Sequence, residues 1–336
     1  MKKLFFVTLI TCSTLIISCN SKLEKKPTFQ ETLPSWKDTD SKLNIIKFVE
    51  QTTNPNDSSF IPKKDRIATF DNDGTLWAEQ PFYFQLYFSL NRIKELAPEH
   101  PEWKETQPYK AVLEDDFETL SEMELNNLLG LVLTSHTGNT TQEFEQSVVA
   151  WSQKAKHPTK DVPFQALVYQ PMLELIDYLK ANDFKVYIVS GGGVDFMRAF
   201  LTDIYGIPKE QIIGSRIKTQ FIENEDQFKI IRLPEIEYID DKEGKPLNIE
   251  KIIGKKPVVA VGNSDGDLDM LQWSTMSKHK TLQIYIHHTD SIREWAYDRD
   301  SKIGKLDKGL DVANAKQWTI VDMKNEWLTV FPEGKN

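Results

Sequence analysis

The chain alternates short apolar runs with longer stretches whose apolar residues recur at helical spacing. A short run that is apolar throughout is typical of a strand buried on both faces, whereas a spacing of three or four residues predicts a helix with one buried side. Because the two patterns alternate, the sequence predicts an α/β fold with a Rossmann-like parallel sheet and helices on both faces. The predicted strands are RIATFD at 66, KVYIVSGG at 185, QIIGSR at 211, PVVAVGNS at 257 and TLQIYIHH at 281.

A long segment between the first two predicted strands shows almost no strand pattern. Residues 84–164 contain the helical patterns FQLYFSLNRIKEL, LSEMELNNLLGLVL and TQEFEQSVVAWSQKA. We therefore predict a helical cap inserted into a core that is made of residues 61–83 and 165–336. Residues 216–240 alternate apolar and polar positions, which predicts a hairpin.

The N-terminal segment differs in composition from the rest. Residues 1–18 begin with lysines and continue as an apolar run, as in a secretory signal peptide, and the sequence IISC at its end resembles a bacterial lipobox. We expect cleavage before Cys19, lipidation of that cysteine, and attachment to a membrane of the cell envelope; an uncleaved anchor helix is the alternative. Residues 19–60 then form a polar tether with one amphipathic helix, SKLNIIKFVEQT.

The charge balance excludes one class of partner. Asp and Glu number 50 against 41 Lys and Arg, so the formal net charge is -9 and the pI is near 5.3. Because phosphate backbones are bound by basic surfaces, we expect no nucleic acid partner. The length of 336 residues, 40% of them hydrophobic, suits one larger domain with a smaller one inserted.

Polar groups able to do chemistry follow the predicted strands. Asp71 and Asp73 follow the first strand, and side chains two residues apart in extended backbone point the same way. Adjacent carboxylates repel each other unless a cation or a shared proton lies between them. The loops after later strands contribute Ser190 with the glycines 191–193, and Asn263, Asp265 and Asp267. Parallel strands assemble sites at their carboxyl ends, so we expect one shared site.

The segment after the last predicted strand reads HHTDSIREWAYD. His287, His288, Asp290 and Arg293 follow that strand at the same edge of the sheet. We expect one of them to line the pocket, with a helix N-cap as the alternative for Asp290. REWAYD predicts a helix whose aromatic residues face the core.

These motifs, in this order, resemble the haloacid dehalogenase superfamily of phosphatases. DNDGT at 71 resembles the nucleophile motif D-x-D-G-T, VSGG at 189 the second motif, Lys245 the third, and GNSDGD at 262 the fourth. The phosphoserine phosphatase-like members are the most similar in pattern, because their fourth motif, G-D-x-x-x-D-x-x-M-L, aligns with Gly262, Asn263, Asp267, Met270 and Leu271. The resemblance covers residues 61–330, with the helical insert in the place of that family's first cap.

The resemblance implies a Mg²⁺-dependent phosphomonoester hydrolase that works through an aspartyl-phosphate. It makes Asp71 the nucleophile and Asp73 the acid and base, with Ser190 and Lys245 stabilising charge on the phosphoryl oxygens. Lys251 is the competitor for the lysine role, but the spacing to the fourth motif favours Lys245. Mg²⁺ would be held by Asp71, the backbone carbonyl of Asp73, Asn263 and Asp267. The second aspartate separates this chain from true dehalogenases, which lack it.

One position departs from the family pattern. The family usually has an acid at the position of Asn263, and an amide oxygen can bind a hard cation but brings no charge. Either the metal binds more weakly, or Asp265 or Asp267 makes up the difference. The same departure supports the alternative that the chain is a catalytically weak, phosphate- or ligand-binding lipoprotein that retains the fold.

Substrate contacts are predicted near the motifs and in the cap. Glu79 follows the nucleophile motif, and in phosphoserine phosphatases a glutamate near this offset meets the substrate's amino group. An acid beside Trp77, Phe82 and Tyr83 also suits a quaternary ammonium, with hinge packing as the alternative. A small substrate such as phosphoserine or phosphocholine follows. The residues assigned to substrate binding are Gly191, Gly192, Thr75, Glu79 and His136, the last of these in a predicted cap loop.

Overall fold

The computed structural model describes residues 31–123, 125–224 and 227–332. The predicted signal segment 1–18 and Cys19 lie outside the described residues, so lipidation and a place in the cell envelope stay predictions. Within the part of the chain that is described, none of the helices is both long and apolar enough to span a bilayer.

The strands form one mainly parallel sheet, which confirms the predicted α/β class. Their order across the sheet is β4-β3-β2-β1-β5-β6-β7, and β8 pairs with β6. The pairs β3/β4 and β6/β7 are antiparallel and the others are parallel. The strands are β1 Ile67–Phe70, β2 Lys185–Gly193, β3 Ile212–Asn224, β4 Gln227–Tyr238, β5 Val259–Gly262, β6 Leu282–Thr289, β7 Ala296–Tyr297 and β8 Thr319–Asp322.

Helices connect the strands and also fill the segment between β1 and β2. The helices of the core are α1 Asp40–Thr53, α7 Gln170–Ala181, α8 Val194–Arg198, α9 Leu201–Tyr205, α10 Gly244–Ile252, α11 Leu268–Thr275, α12 Lys308–Lys316 and α13 Met323–Glu326. Those between β1 and α7 are α2 Phe84–Leu96, α3 Tyr109–Leu113, α4 Phe117–Glu122, α5 Leu125–His136 and α6 Thr141–Ser152. The pattern LSEMELNNLLGLVL forms two helices rather than one, because Met123 is extended (φ -67, ψ 145).

The register of the central strands determines where the site forms. Phe70, the last residue of β1, is level with Ile188 on β2 and with Val261 on β5. All residues of β1 and β5 are buried, as expected for the middle of a sheet that is covered on both faces. The loops that follow these strands therefore begin side by side at one edge of the sheet.

Residues 84–164, which contain α2 to α6 and which we call the cap, pack through aromatic rings. The ring of Phe88 on α2 lies 5.3 Å from His136, 5.7 Å from Phe144 and 5.6 Å from Trp151. It also lies 5.6 Å from Phe196 on α8, which belongs to the core. The aromatic cluster thus joins the cap to the sheet domain.

The hairpin predicted at 216–240 is confirmed as the antiparallel pair β3 and β4. It reaches the cap, because the backbone N–H of Arg232 donates to the carbonyl of Asn139 at 3.0 Å and the N–H of Gly138 donates to the carbonyl of Arg232 at 3.0 Å. The guanidinium Nε of Arg232 also donates to the carbonyl of His136 at 2.7 Å. The cap is therefore attached to the hairpin as well as to the chain that enters and leaves it.

The prediction of a helix at REWAYD is wrong. Ala296 and Tyr297 form β7, which pairs with Thr289 and His288 of β6. The pairing lays the ring of Tyr297 on that of His288, with centroids 4.3 Å apart. A two-residue strand is too short to leave a period in the sequence, so its partner in the sheet decides its conformation.

Candidate active site

The loop after β1 turns sharply and presents two carboxylates. The N–H of Asp71 donates to the carbonyl of Val261, which continues the sheet by one residue. The carbonyl of Asn72 then accepts the N–H groups of Thr75 and Leu76, and Gly74 has a φ of +72°, a conformation that favours glycine. The turn places Asp71 and Asp73 directly after the carboxyl end of β1, at the edge of the sheet where the other loops begin.

Lys245 lies between two buried carboxylates. Its Nζ donates to Asp71 Oδ1 and to Asp267 Oδ1, both at 2.6 Å, and to the carbonyl of Val189 at 3.0 Å. The residue is 2% exposed, whereas Lys251, on the same helix, is exposed. The structure therefore brings Lys245, and not Lys251, to the side chain of Asp71.

Burial and charge act in opposite directions on this ion cluster. Burial lowers the pKa of Lys245, but the carboxylates of Asp267 and Asp71 outweigh it and raise that pKa, so the amine is an ammonium. Burial raises the pKa of Asp71 well above its usual value, and the charges of Asp267 and Asp73 raise it further against the pull of Lys245. A second cation near Asp71 would favour its ionised, nucleophilic form.

Asp267 anchors the loop after β5. Its Oδ2 accepts the N–H groups of Asn263 at 2.9 Å and Ser264 at 3.0 Å, while its Oδ1 accepts Lys245. Both oxygens therefore have protein donors, and direct metal ligation by Asp267 stays a prediction. Asp265 points elsewhere: its Oδ1 accepts the N–H groups of Asp307 and Gly309 at the start of α12.

Asp73 is held at the edge of the site by an indole. Trp77 Nε1 donates to Asp73 Oδ1 at 2.8 Å. Burial raises the pKa of Asp73 to about 6, although the hydrogen bonds from Trp77 and Ser190 and the charge of Lys245 oppose the rise. A carboxyl group with such a pKa exchanges a proton readily near neutral pH, as a general acid and base must.

The end of β2 brings Ser190 and the glycines to the same site. The N–H of Gly192 donates to Ser190 Oγ at 3.1 Å, and a Cβ built on Gly192 would lie 3.4 Å from Asp73 Oδ2. The N–H of Gly193 donates to Gln85 Oε1 of the cap at 2.7 Å. The N–H groups of Gly192 and Gly193 are therefore not free to bind an anion, because neighbouring side chains already accept them.

His136 does not lie in a loop, so this part of the prediction is wrong. It is the last residue of α5 and is 1% exposed, between the rings of Phe88 and Phe144. Its Nε2 is 2.9 Å from Gln85 Nε2. Gln85, which sequence analysis missed, therefore links the buried histidine to the glycines of β2.

The aromatic residues after the nucleophile motif serve packing. Trp77 is 1% exposed, with its ring 4.6 Å from that of Phe84 and 5.7 Å from that of Phe200. Phe82 is 8% exposed and lies against Tyr87. This supports the hinge-packing alternative for Trp77 and Phe82, and leaves Tyr83, at 40% exposed, as the open ring of the group.

A network of buried side-chain hydrogen bonds surrounds Asn263. Thr75 Oγ1 donates to Asn263 Oδ1 at 3.0 Å, and Asn263 Nδ2 donates to Glu79 Oε1 at 2.7 Å. The hydroxyl of Tyr297 donates to the same Glu79 oxygen at 2.9 Å. Burial and the charge of Asp73 raise the pKa of Glu79 well above its usual value. Thr75 and Glu79, assigned to substrate binding from the sequence, thus contact Asn263.

His288 and Glu294 form a second buried pair, which contacts the loop that carries the nucleophile. His288 Nε2 lies 2.7 Å from the carbonyl of Gly74, and its Nδ1 lies 3.1 Å from Glu294 Oε2. The hydroxyl of Tyr169 donates to Glu294 Oε1 at 2.8 Å. Of the two neighbouring histidines near the end of β6, His288 is the one that reaches the nucleophile loop, and it contacts the backbone carbonyl of Gly74.

The oxygens that remain suit a hard cation. In the described ranges, no group of three or more His, Cys, Asp or Glu side chains is arranged to hold a metal, because Lys245 separates Asp71 from Asp267 and position 263 is an amide. Among the described residues no donor reaches Asp71 Oδ2 or the carbonyl of Asp73. Carboxylate, carbonyl and amide oxygens, completed by water, are ligands that Mg²⁺ accepts.

Comparison with known families agrees with this geometry. The model of the haloacid dehalogenase-like hydrolase family matches residues 68–272, which contain every residue of the ion cluster. The chain belongs to the haloacid dehalogenase-like hydrolase family. It is accordingly a hydrolase, and the sequence resemblance to this superfamily is confirmed.

Several solved structures are similar to this hydrolase at low sequence identity. A conserved protein of unknown function from Anaerococcus prevotii is 19% identical, with a TM-score of 0.50, and the match covers 74% of this chain and 86% of that one. A protein of unknown function from Bordetella pertussis is 14% identical over 77% and 98% of the two chains, with a TM-score of 0.48. A probable phosphoserine phosphatase from Vibrio cholerae is 16% identical over 77% and 69%, with a TM-score of 0.38. A search of curated proteins finds no match.

Proposed function

We propose that this hydrolase is a Mg²⁺-dependent phosphatase of small phosphomonoesters that works through an aspartyl-phosphate on Asp71. The observation that carries the proposal is the convergence of Asp71, Asp73, Lys245 and the loop of Asn263 at one sheet edge. When bound, Mg²⁺ would supply positive charge that lets an anionic nucleophile approach an anionic substrate. Asp71, the carbonyl of Asp73 and Asn263 would hold it, with Asp267 as the fourth predicted ligand.

The residues of the chain then have separate tasks. Asp71 attacks phosphorus, and the bond to the leaving oxygen breaks as Asp73 donates its proton to that oxygen. Asp73 next takes a proton from the water that hydrolyses the acyl phosphate on Asp71. Lys245 and Ser190 stabilise the charge on the phosphoryl oxygens. Because Lys245 also orders Asp71, its role is both structural and electrostatic.

The substrate is proposed from the chemistry around the site. The exposed ring of Tyr83 lies close to the acids around the nucleophile, and an aromatic ring in an acidic site suits an ammonium. We therefore keep phosphoserine and phosphocholine as the representative substrates. Attachment to a membrane of the cell envelope through a lipid on Cys19 belongs to the same proposal and would suit scavenging outside the cell.

The deciding experiment is hydrolysis of p-nitrophenyl phosphate by the full chain, with and without Mg²⁺. Asp71→Asn should lose turnover by roughly 10⁴-fold, as is typical for loss of a nucleophile. Asp203→Asn, the same change at an exposed position of α9, should keep full activity. Equal activity in Asp71→Asn and the control would overturn the proposal.

A second variant separates the two roles of the aspartates. p-Nitrophenolate leaves without needing a proton, so Asp73→Asn should still form the acyl phosphate but hydrolyse it slowly. A rapid release of about one equivalent of p-nitrophenolate per chain, followed by slow turnover, is expected. Linear release from the start, at a reduced rate, would argue against Asp73 as the base of the second step.

The alternative of a weak phosphate-binding lipoprotein is favoured by one observation, the amide at position 263. It predicts that wild-type protein binds phosphate and fails to turn over any of the tested phosphomonoesters with Mg²⁺ present. A screen with phosphoserine, phosphocholine and p-nitrophenyl phosphate, with calorimetry of phosphate binding in parallel, distinguishes the two functions.

A further inference from the structure

Glu79 is a buried acid to which no basic side chain in the described part of the chain donates a hydrogen bond. It is 2% exposed, and its Oε1 accepts hydrogen bonds from Asn263 Nδ2 and the hydroxyl of Tyr297. Both donors are neutral. Burying a carboxylate is costly unless a cation or several hydrogen bonds compensate it, so its retention beside the nucleophile loop needs a reason.

The backbone makes room for this carboxylate from two sides. A Cβ on Gly74 would lie 2.3 Å from Glu79 Oε1 and 2.1 Å from Asn263 Nδ2. A Cβ on Gly304 would lie 2.0 Å from Glu79 Oε1. Both glycines have positive φ, +72° and +68°, so each position favours glycine twice over. The pocket around Oε1 is therefore built into two separate loops.

The carboxylate also sets the orientation of the Asn263 amide. Glu79 Oε1 already acts as an acceptor, for Tyr297 as well as for Asn263. A cation beside Asn263 would favour the ionised form of Glu79, which only accepts hydrogen bonds, so the amide must turn its NH₂ group toward Glu79. The amide oxygen then lies on the side of Thr75, whose hydroxyl donates to it at 3.0 Å. Without a pure acceptor at position 79, the two ends of the amide could exchange places, and the nitrogen would take the position of the oxygen.

The other acids of the loop are already engaged. Asp265 accepts N–H groups at the start of α12, and Asp267 accepts Lys245 and two N–H groups of its own loop. The expectation that one of these makes up for the missing acid at 263 thus has no support in the contacts. Glu79 is the carboxylate that accepts a hydrogen bond from the side-chain amide of Asn263, whereas Asp267 accepts only its backbone N–H.

We propose that Glu79 is a positioning residue for the cation site: it points the Asn263 oxygen toward the cation and supplies, one hydrogen bond further out, the negative charge that an aspartate at 263 would carry. The inference rests on the proposed function, because it needs a cation at Asn263. It also reassigns Glu79, which the sequence assigned to substrate binding, to support of the metal.

The test exchanges the two groups. Glu79→Gln removes the charge and the pure acceptor, whereas the double variant Glu79→Gln with Asn263→Asp swaps amide and carboxylate, keeping one hydrogen bond and the total charge. Calorimetric titration of the full chain with MgCl₂ should show a roughly 10- to 100-fold weaker Kd for Glu79→Gln, as for other groups that support a ligand. The double variant should recover the affinity to within about threefold, by the same reasoning.

Controls keep structural damage apart from loss of metal support. Glu99→Gln makes the same change at an exposed cap position and should bind Mg²⁺ like wild type. The thermal midpoint without Mg²⁺ shows whether each variant folds; if Glu79→Gln does not, the double variant alone decides. A folded Glu79→Gln with unchanged affinity, or a folded double variant that binds tenfold or more weakly than wild type, overturns the inference. If the wild-type protein binds no Mg²⁺, that result would instead contradict the proposed function.

Discussion

The site edge of the core and the interior of the cap bury polar side chains in opposite ways. In the core, the Lys245 ammonium touches the carboxylates of Asp71 and Asp267, so charges are buried as compensated ions. In the cap, His136 and His157 lie among aromatic rings, and burial lowers their pKa values to about 3 and about 4. The core cluster should lose stability when a positive charge is removed from it. The cap should lose stability when a positive charge is added to it.

The largest effect should come from taking the cation out of the core cluster. Lys245→Met leaves two buried carboxylates facing each other, and breaking a buried ion pair in this way costs about 3–5 kcal/mol of the free energy of unfolding. Urea unfolding followed by circular dichroism measures the loss. Adding Asp71→Asn to Lys245→Met should recover part of it, because one of the unpaired charges is gone.

Lys251→Met provides the matched control for this prediction. Lys251 lies on the same helix as Lys245 but is exposed. Its substitution should change the free energy of unfolding by no more than about 0.5 kcal/mol. Equal stability of the two variants would mean that the buried cluster adds nothing to the fold, and the contrast between core and cap would be lost.

Acidification should act on the two regions with opposite sign. The folded pKa of each cap histidine lies below the usual 6.5, so the cap keeps its full stability above pH 6.5 and loses it as the pH falls toward the folded values. At pH 5.5 the loss is about 1.4 kcal/mol per histidine. In the core, burial raises the pKa of Asp73 to about 6 and that of Asp240 to about 7. Protonation of these two acids therefore makes the folded core more stable as the pH falls over the same range.

Hydrogen exchange with residue resolution separates these signals, since a global unfolding curve would partly cancel them. Cap amides should exchange faster at pH 5.5 than at pH 7.5 after correction for the intrinsic rate, and amides of β1 and β5 should not. His157→Gln should remove about half of the cap's pH dependence. A cap that is equally protected at both pH values would show that its histidines are not buried neutral.

The smallest effect should come from the surface of the cap, where neither buried ion pairs nor buried neutral histidines contribute to stability. Thr140 caps α6: its Oγ1 accepts the N–H of Glu143 at 3.1 Å, and the Glu143 carboxylate accepts the N–H of Thr140 at 2.8 Å. Thr140→Ala should cost about 1 kcal/mol in urea unfolding. Thr141→Ala, one residue on, lacks the capping bond and should cost less than half of that.

The parts of the molecule that sequence predicts well are those whose chemistry is local. A strand that ends in an acid or a serine can be recognised from a few neighbouring residues. The sequence alone therefore predicts that Asp71, Ser190 and the Asn263 loop lie at the same edge of the sheet. The family resemblance then ordered them. The resemblance favours Lys245 over Lys251 through its spacing to the fourth motif and its place at the start of a helix, and the structure puts Lys245 against Asp71.

The parts that escape the sequence depend on partners far along the chain. Tyr297 reaches Glu79 across 218 residues, from a strand of two residues that has no period of its own. The polar residues that follow His136 predict a loop there, yet α5 extends to His136 and the rings of the cap bury it. Glu79 carries no local sign that its neighbour in space is Asn263, since 184 residues separate them.

The attachment of the hairpin to the cap has a consequence for how the enzyme admits its substrate. A cap tied only by its two connecting segments could swing about them, but here Gly138 and Asn139 also exchange hydrogen bonds with Arg232. Any swing of the cap away from the core therefore requires either that these bonds break or that β3 and β4 bend together with the cap. Evolution of a wider or narrower entrance would then act through the stiffness of the hairpin as much as through the cap's own side chains.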